Sequence, residues 1–319
     1  MRALQMSAPR KLALLDGVPE PVPREGEVLV RCQHVSICGS NIHPYLGLGL
    51  WAKLPYPKPP GWDGHECIGT IVESRLDGWA PGTLVLAHPQ DYGGFAELIR
   101  AKPPGLVALP QGDDPAPLIA AQPLATVLRA MSRIGPVANL RYAVVGQGPM
   151  GLIFTSMLRH AGARQVIGLD LLDYRLEAAR RFGATDVVNA ASADPAEAVR
   201  ELTGGAMADL AIEAVGFPET LASAVKITRR FGKICVFGVP RYEAPEFPLN
   251  AFFRAEMEAI CSVGADCVHF FDIAVRMLVD GCLDLSPLIT HRLPWPEAQR
   301  AFDLYADHAD GVLKVVIQL

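Results

Sequence analysis

Cys38-Gly39-Ser40-Asn41-Ile42-His43 sets a thiol, a hydroxyl and an imidazole in one short run, and Gly64-His65-Glu66 follows with an imidazole beside a carboxylate. Thiolate, imidazole and carboxylate are the donors that zinc takes. The Ser40 hydroxyl and the second imidazole, His43, have the chemistry to move a proton. Further along, Gly146-Gln147-Gly148-Pro149-Met150-Gly151 fits the pattern G-x-G-x-x-G of a dinucleotide site. A metal and a nicotinamide on one chain point to alcohol or ketone chemistry.

The context of the glycine run carries more weight than its letters. It follows an apolar strand, Tyr142–Val145, and opens a predicted helix over Met150–His160; Asp170 ends the next predicted strand, Val166–Asp170. Gly146 permits the tight turn, Gly148 lets the backbone approach a pyrophosphate, and Gly151 lets helix and strand pack closely. Pro149 has no N–H, and the helix amides from Met150 onward then face the phosphates. Asp170 is expected to accept hydrogen bonds from a ribose diol and to repel a 2′-phosphate. Positions 171 and 172 carry no Arg or Lys, so NAD is favoured over NADP.

A chain of 319 residues needs more than one ordinary core, so two domains are expected. Half the residues are hydrophobic and 20% charged, which argues against disorder. A net charge of −5 without a basic stripe argues against nucleic acid as a partner. No apolar run is long enough for a membrane span, and a soluble, cytoplasmic protein is expected. Seven cysteines at scattered spacing form no disulfide framework; Cys32, Cys235, Cys261, Cys267 and Cys282 read as small buried hydrophobes.

Up to about residue 110 the chain reads as short strands (Glu27–Cys32, Cys67–Glu73, Gly82–Ala87) between Gly and Pro punctuation, with an irregular stretch over Leu46–Pro60. Ala116–Ile134 looks helical, broken by Pro123. A βαβα rhythm follows: after Val166–Asp170 come a helix over Tyr174–Phe182 and strands over Leu210–Val215 and Lys233–Phe237, all apolar. Such strands form a parallel sheet covered on both faces, an α/β arrangement. A helix near Phe270–Val279 and a terminal strand, Leu313–Ile317, close the chain.

Val35–His43, Gly64-His65-Glu66 and the glycine run together resemble the zinc-containing medium-chain dehydrogenase/reductase family, which includes alcohol, polyol (sorbitol), glucose and threonine dehydrogenases. Gly93-Gly94-Phe95-Ala96-Glu97 and Pro287–Arg292 match further family segments. The resemblance implies a doubly wound parallel Rossmann sheet for NAD over residues 123–262 and a mainly β, GroES-like catalytic domain from residues 1–122 and 263–319. It implies Cys38 and His65 as zinc ligands, Glu66 as ligand or near-ligand, and Gln122 at a position where relatives often carry Glu or Cys. A neutral amide is a weaker donor than either. Asn41 stands where Asp is usual, which removes a charge from beside the ligands. The lobe that holds a structural zinc in many relatives is absent, because Ala87–Tyr92 runs straight into Gly93. One catalytic zinc per chain and no structural zinc are therefore expected.

By the same resemblance, zinc polarises the substrate oxygen while hydride leaves to the nicotinamide, and the proton passes from Ser40 through ribose hydroxyls to His43 near solvent. Thr126 is expected against the nicotinamide, Lys314 near the phosphates, and Arg175, Val215 and Gly238 among the other cofactor contacts. A homodimer or homotetramer is expected to form through the last strand of the nucleotide sheet, near Lys233–Val239. Trp51, Leu54 and Tyr56 are candidates for a pocket wall, with His88 and Gln90 facing the site. The function implied is NAD-dependent interconversion of a small-molecule secondary alcohol or polyol and its ketone. Two alternatives stay open at this point. One is a metal-free enone or quinone reductase of the same fold, although such relatives lack the Cys-Gly-Ser and Gly-His-Glu runs. The other is a nicotinamide-binding protein without turnover, which Gln122 and Asn41 leave standing.

Overall fold

The chain begins with an antiparallel hairpin, β1 (Ala3–Ala8) and β2 (Lys11–Leu15), followed by β3 (Val28–Ser36) and a short helix α1 (Gly39–Leu46). Then come β4 (Cys67–Ser74), β5 (Leu84–Ala87), β6 (Leu98–Ala101) and β7 (Leu106–Ala108). The computed structural model describes residues 1–48, 53–241 and 246–319. A 3₁₀ turn over Ala116–Ala120 leads into α2 (Ala121–Ile134). Pro123 does not break this helix as expected. It sits in the first turn, where its missing N–H would have had no intrahelical partner.

The glycine-rich middle of the chain alternates strand and helix: β8 (Arg141–Val145), α3 (Pro149–His160), β9 (Gln165–Asp170), α4 (Asp173–Arg181), β10 (Asp186–Asn189), α5 (Pro195–Leu202), β11 (Ala208–Glu213), α6 (Pro218–Ile227), β12 (Thr228–Val236), α7 (Leu249–Arg254) and β13 (Glu258–Cys261). The chain ends with α8 (Phe271–Val279), β14 (Ile289–Pro294), α9 (Ala298–Ala306) and β15 (Lys314–Gln318). Two units result, Met1–Ala125 with Asp266–Leu319, and Thr126–Ala265. No helix among the described residues is long and apolar enough to cross a membrane.

In the first unit β14, β15, β3, β4, β5 and β7 pair in that order, with β6 also on β3. All of these pairs are antiparallel except β14 with β15. Strand β3 is buried along most of its length because sheet neighbours flank it and Val30, Val35, Ile71, Val85, Phe95, Phe302, Val315 and Ile317 close a core around it. This is the mainly β unit that carries both candidate ligand runs.

In the second unit six parallel strands lie in the order β10-β9-β8-β11-β12-β13. This is the doubly wound order, in which the direction of winding reverses between β8 and β11 and a ligand crevice opens at their carboxyl ends. Ala143, Val145, Ile167, Leu169, Ala211, Ile227 and Ile234 form its core. The Lys233–Val239 segment was expected at the sheet edge. It corresponds to β12, which is bonded on both sides, and the outermost strand is β13. The short, polar-flanked Glu258–Cys261 run carries a weak strand signal, which hid the true edge. Cys32 and Cys235 are buried as expected, whereas Cys261 and Cys282 are exposed.

Candidate functional site

The first ligand run sits where β3 ends and α1 begins. Cys38 is the N-cap of α1, and Asn41, three residues on, accepts from the Cys38 backbone N–H through Oδ1 at 2.7 Å. The helix start thus fixes the Cys38 peptide. Ser40 and His43 lie one turn apart on the same side of α1. His43 was expected near solvent. It is only 7% exposed, because α1 buries Ile42, His43, Pro44 and Tyr45 together.

The second run is delivered by a close backbone approach. Gly64 and Gly93 form a bridge, and Gly94 N–H donates to the Gly64 carbonyl at 3.0 Å. A Cβ on Gly64 would lie 2.4 Å from the Phe95 nitrogen, and one on Gly94 would lie 2.5 Å from the Cys67 sulfur. Only glycine allows the two segments to touch, and that contact sets His65 and Glu66 at the entrance to β4.

Cys38, His65 and Glu66 each offer a ligand atom, and the three atoms lie within 4.8 Å of one another. Glu66 is fully buried. Its Oε2 meets the Lys314 ammonium at 2.5 Å and accepts from the Ser36 hydroxyl, whereas Oε1 is buried with no hydrogen-bond partner among the described residues. A buried carboxylate oxygen left unpaired is costly, and here it belongs to a thiol, imidazole and carboxylate set of the kind zinc takes. The residues fit a metal. Gln122, in the first turn of α2, is also buried.

Lys314 was expected near cofactor phosphates. Instead it is buried against Glu66, with its ammonium also 3.4 Å from the Ile37 carbonyl, so its charge balances the carboxylate. A lysine on a terminal strand gave no sign of this, because the pairing joins β15 to the start of β4.

His65 is shaped by its neighbours. Its Nδ1 lies 2.9 Å from the Asp63 carbonyl oxygen and 3.7 Å from Asp63 Oδ1, which leaves Nε2 for a metal. Burial disfavours a charged imidazole, but hydrogen bonds to Asp63 and Cys38 outweigh it and hold His65 well above its ordinary pKa. His88 is brought to the site: its ring centroid is 6.3 Å from that of His65, 5.0 Å from Tyr92 and 6.4 Å from Phe271. Burial first, then the nearby His65, push His88 down to about 4, so it is neutral at neutral pH. Its Nδ1 lies 3.1 Å from the Pro89 carbonyl.

Among the proposed wall residues, Trp51 lies outside the described residues and Leu54 is 46% exposed. Tyr56 donates its hydroxyl to the Pro44 carbonyl, and the Lys58 ammonium sits 4.2 Å from its ring centre. Tyr56 therefore packs the loop against α1. The Gln90 backbone N–H donates to the Arg100 carbonyl, which ties the segment after β5 to β6.

In the second unit the glycine run occupies the turn from β8 into α3. Gly146 has φ +92°, a conformation that favours glycine, and a Cβ on Gly151 would lie 1.8 Å from the Gly146 carbonyl oxygen. Gly148 caps α3, Pro149 and Met150 follow as its first residues, and a Cβ on Gly148 would meet open space. Open space beside a helix N-terminus suits an anionic group. Asp170 closes β9. Its Oδ2 accepts from Gln147 N–H at 2.7 Å, and its Oδ1 from Leu171 and Leu172 N–H. The Arg175 guanidinium is 3.8 Å from Asp170. Val215, expected in a strand, lies just past β11, where the Glu213 carboxylate accepts from the Val215 and Gly216 N–H groups. Gly238 is packed onto the same turn, since a Cβ there would lie 2.3 Å from the Gly216 nitrogen. Thr126 stands on α2, at the start of this unit.

Two residues beside the ligands went unnoticed in the sequence, Asp63 and Ser36. Asp63 stands two positions before His65, a spacing that was available as a signal. Ser36 had none, because it reaches Glu66 only through the pairing of β3 with β4.

Residues 24–111 match the alcohol dehydrogenase GroES-like domain, and residues 149–279 match the zinc-binding dehydrogenase domain. The chain is 28% identical to an L-threonine 3-dehydrogenase of Bacillus velezensis over 92% of either chain. It is 27% identical to a sorbitol dehydrogenase of Bacillus subtilis, covering 99% of this chain and 97% of that one. Among solved structures, an alcohol dehydrogenase from a Thermus species superposes with a TM-score of 0.86 at 26% identity, over 100% of this chain and 99% of the other. With both domain matches falling on the two units just described, and relatives aligned nearly end to end, the chain belongs to the zinc-type medium-chain dehydrogenase/reductase family.

Proposed function

We propose that the protein is an NAD-dependent dehydrogenase that interconverts a secondary alcohol or polyol and its ketone, with one zinc per chain. The observation that carries this reading is the Cys38, His65 and Glu66 cluster with its unpartnered Glu66 Oε1. Threonine and sorbitol dehydrogenases among the relatives support the class of reaction. When bound, zinc polarises an alcohol or carbonyl oxygen and the nicotinamide exchanges the hydride.

The chain's own residues do the rest. Cys38, His65 and Glu66 would hold the metal, Gln122 would complete the set as a neutral donor, and Lys314 holds the Glu66 carboxylate in place. Ser40 takes the alcohol proton and His43, one turn along α1, receives it. The α3 amides and Gly148 hold the pyrophosphate, and Asp170 takes the adenosine ribose, with Thr126, Val215, Gly238 and Arg175 as further cofactor contacts. Self-association is assigned to β13, the outermost strand, beside which Phe253 and Val263 are 77% and 71% exposed.

The test is metal analysis of the purified protein together with a panel of polyols, sugars and aliphatic secondary alcohols with NAD, and light scattering on the same sample. Stoichiometric zinc, NAD-linked oxidation and a mass two or four times that of the chain are expected; a protein that binds NADH but turns over nothing would overturn the assignment. For cofactor choice, Asp170→Ala removes the carboxylate that repels a 2′-phosphate, so NAD preference should fall by at least about tenfold, the effect of roughly 1.4 kcal/mol. Unchanged discrimination between NAD and NADP would show that another residue sets it.

A further inference from the structure

We infer that Asp63 is a positioning residue for the metal centre, its backbone carbonyl meeting His65 Nδ1 so that Nε2 is presented, and its carboxylate supplying the negative charge that Asn41 does not carry. This rests on the metal-centre reading above. His65 Nδ1 meets the Asp63 carbonyl at 2.9 Å, with the Asp63 carboxylate at 3.7 Å. Asn41 binds the same residue from the other side: its Nδ2 donates to the Asp63 carbonyl at 2.9 Å and lies 3.4 Å from Asp63 Oδ2. The opposite end of the Asn41 amide accepts from the Cys38 N–H. A single chain of contacts therefore runs from Cys38 through Asn41 and Asp63 to His65, and so joins two ligands. Asn41 is fully buried, and the His65 and Asp63 side chains are 12% and 19% exposed.

The identity of each residue follows from hydrogen-bond inventory. Position 41 must accept from Cys38 and donate to Asp63 at once, which an amide can do and an ionised carboxylate cannot. Two carboxylates at 41 and 63 would meet at the 3.4 Å now spanned by Asn41 Nδ2 and Asp63 Oδ2, where like charges repel. The amide therefore belongs at 41, and the one acid of the pair is at 63. A histidine ligand whose other ring nitrogen is held by an oxygen is fixed in orientation and made more basic, an effect of about 10- to 100-fold on metal affinity.

The experiment uses the full chain with cobalt(II) as probe, its affinity measured by chelator competition and its coordination by the thiolate-to-cobalt absorption. Asp63→Asn keeps the backbone carbonyl on His65 and removes only the charge 3.7 Å away, so it should weaken cobalt binding about tenfold, the lower end of that range, and Asn41→Asp should weaken it as well. Asp63→Glu keeps a carboxylate on the segment and should bind cobalt more tightly than Asp63→Asn. A near-native thermal midpoint of the metal-free Asp63→Asn protein separates lost charge from lost fold. If that variant does not fold, Asp63→Glu alone decides, and it must bind cobalt within tenfold of the unaltered protein. Affinity of Asp63→Asn within twofold of the unaltered protein, or Asp63→Glu no better than Asp63→Asn, overturns the assignment of Asp63 alone. If the unaltered protein and Cys38→Ala bind cobalt equally weakly, the metal centre itself is refuted, and this inference with it.

Discussion

Cys38→Ala should remove turnover while leaving NADH binding nearly intact. The thiol is one of three donors whose ligand atoms lie within 4.8 Å, and it is the soft one, which zinc retains most firmly. Its loss leaves an imidazole, the weak neutral amide of Gln122 and a carboxylate that is already shared with Lys314, a poor donor set for zinc. The Lewis-acid contribution that disappears with the metal is worth several kcal/mol, so kcat should fall by at least about three orders of magnitude. The glycine run, Asp170 and the Val215–Gly216 turn all belong to the other unit and have their own core, so the nucleotide affinity should change less than about threefold. Zinc content by mass spectrometry and NADH titration by fluorescence measure the two halves separately. Parallel loss of both would contradict a metal centre and a nucleotide site built by separate units.

Lys314→Met should be among the most destabilising single changes in the protein. The ammonium and the Glu66 carboxylate are both buried, at 1% and 0% exposure, and 2.5 Å apart. Removing one partner of a buried pair strands the other charge, typically at about 3–5 kcal/mol. Ser36 would be the remaining donor to Glu66, and one hydroxyl does not neutralise a buried carboxylate. The loss should appear as a lower urea midpoint for the metal-free protein. Zinc should recover part of it, both because ligand binding stabilises the native state and because the ion replaces the missing positive charge beside Glu66. Combining Lys314→Met with Glu66→Gln should also recover stability, since no charge is then stranded, but not metal affinity. A metal-free Lys314→Met protein with an unchanged midpoint would show that the pair is not buried as described.

Periodicity and motif spacing made the α/β character, the βαβα segment and the glycine run with Asp170 legible without coordinates, because each is local. A tight turn, a strand of continuous apolar residues and a helix start leave their marks within a dozen or so positions. The ligand types in the Cys38 and His65 runs were readable for the same reason. Misreadings cluster where a residue's meaning depends on a distant partner. Lys314 was expected near the cofactor phosphates, and the pairing of β15 with β3 brought it to Glu66. His43 was expected near solvent, and α1 packs it inward. β12 passed for the sheet edge because β13 is short, with exposed polar and apolar residues mixed.

Asn41 shows the same division within a single site. Its departure from Asp is plain in the sequence and reads there as a lost charge. The tertiary structure turns that loss into an exchange, because the carbonyl and carboxylate of Asp63 stand at the position where Asn41 donates and His65 needs a partner.

By itself, then, the sequence determined which donors this protein owns, Cys38, Ser40, His43, His65 and Glu66, and that a dinucleotide-type turn lies beyond them. Side-chain chemistry and short-range spacing are written directly in the order of residues. Only the tertiary structure decided which donors converge, which charge balances Glu66, and which carboxylate stands behind His65. Those facts depend on the register of strands far apart in the chain and on the close passage of Gly64 by Gly93-Gly94, and burial in a shared low-dielectric interior is what makes each of them count energetically.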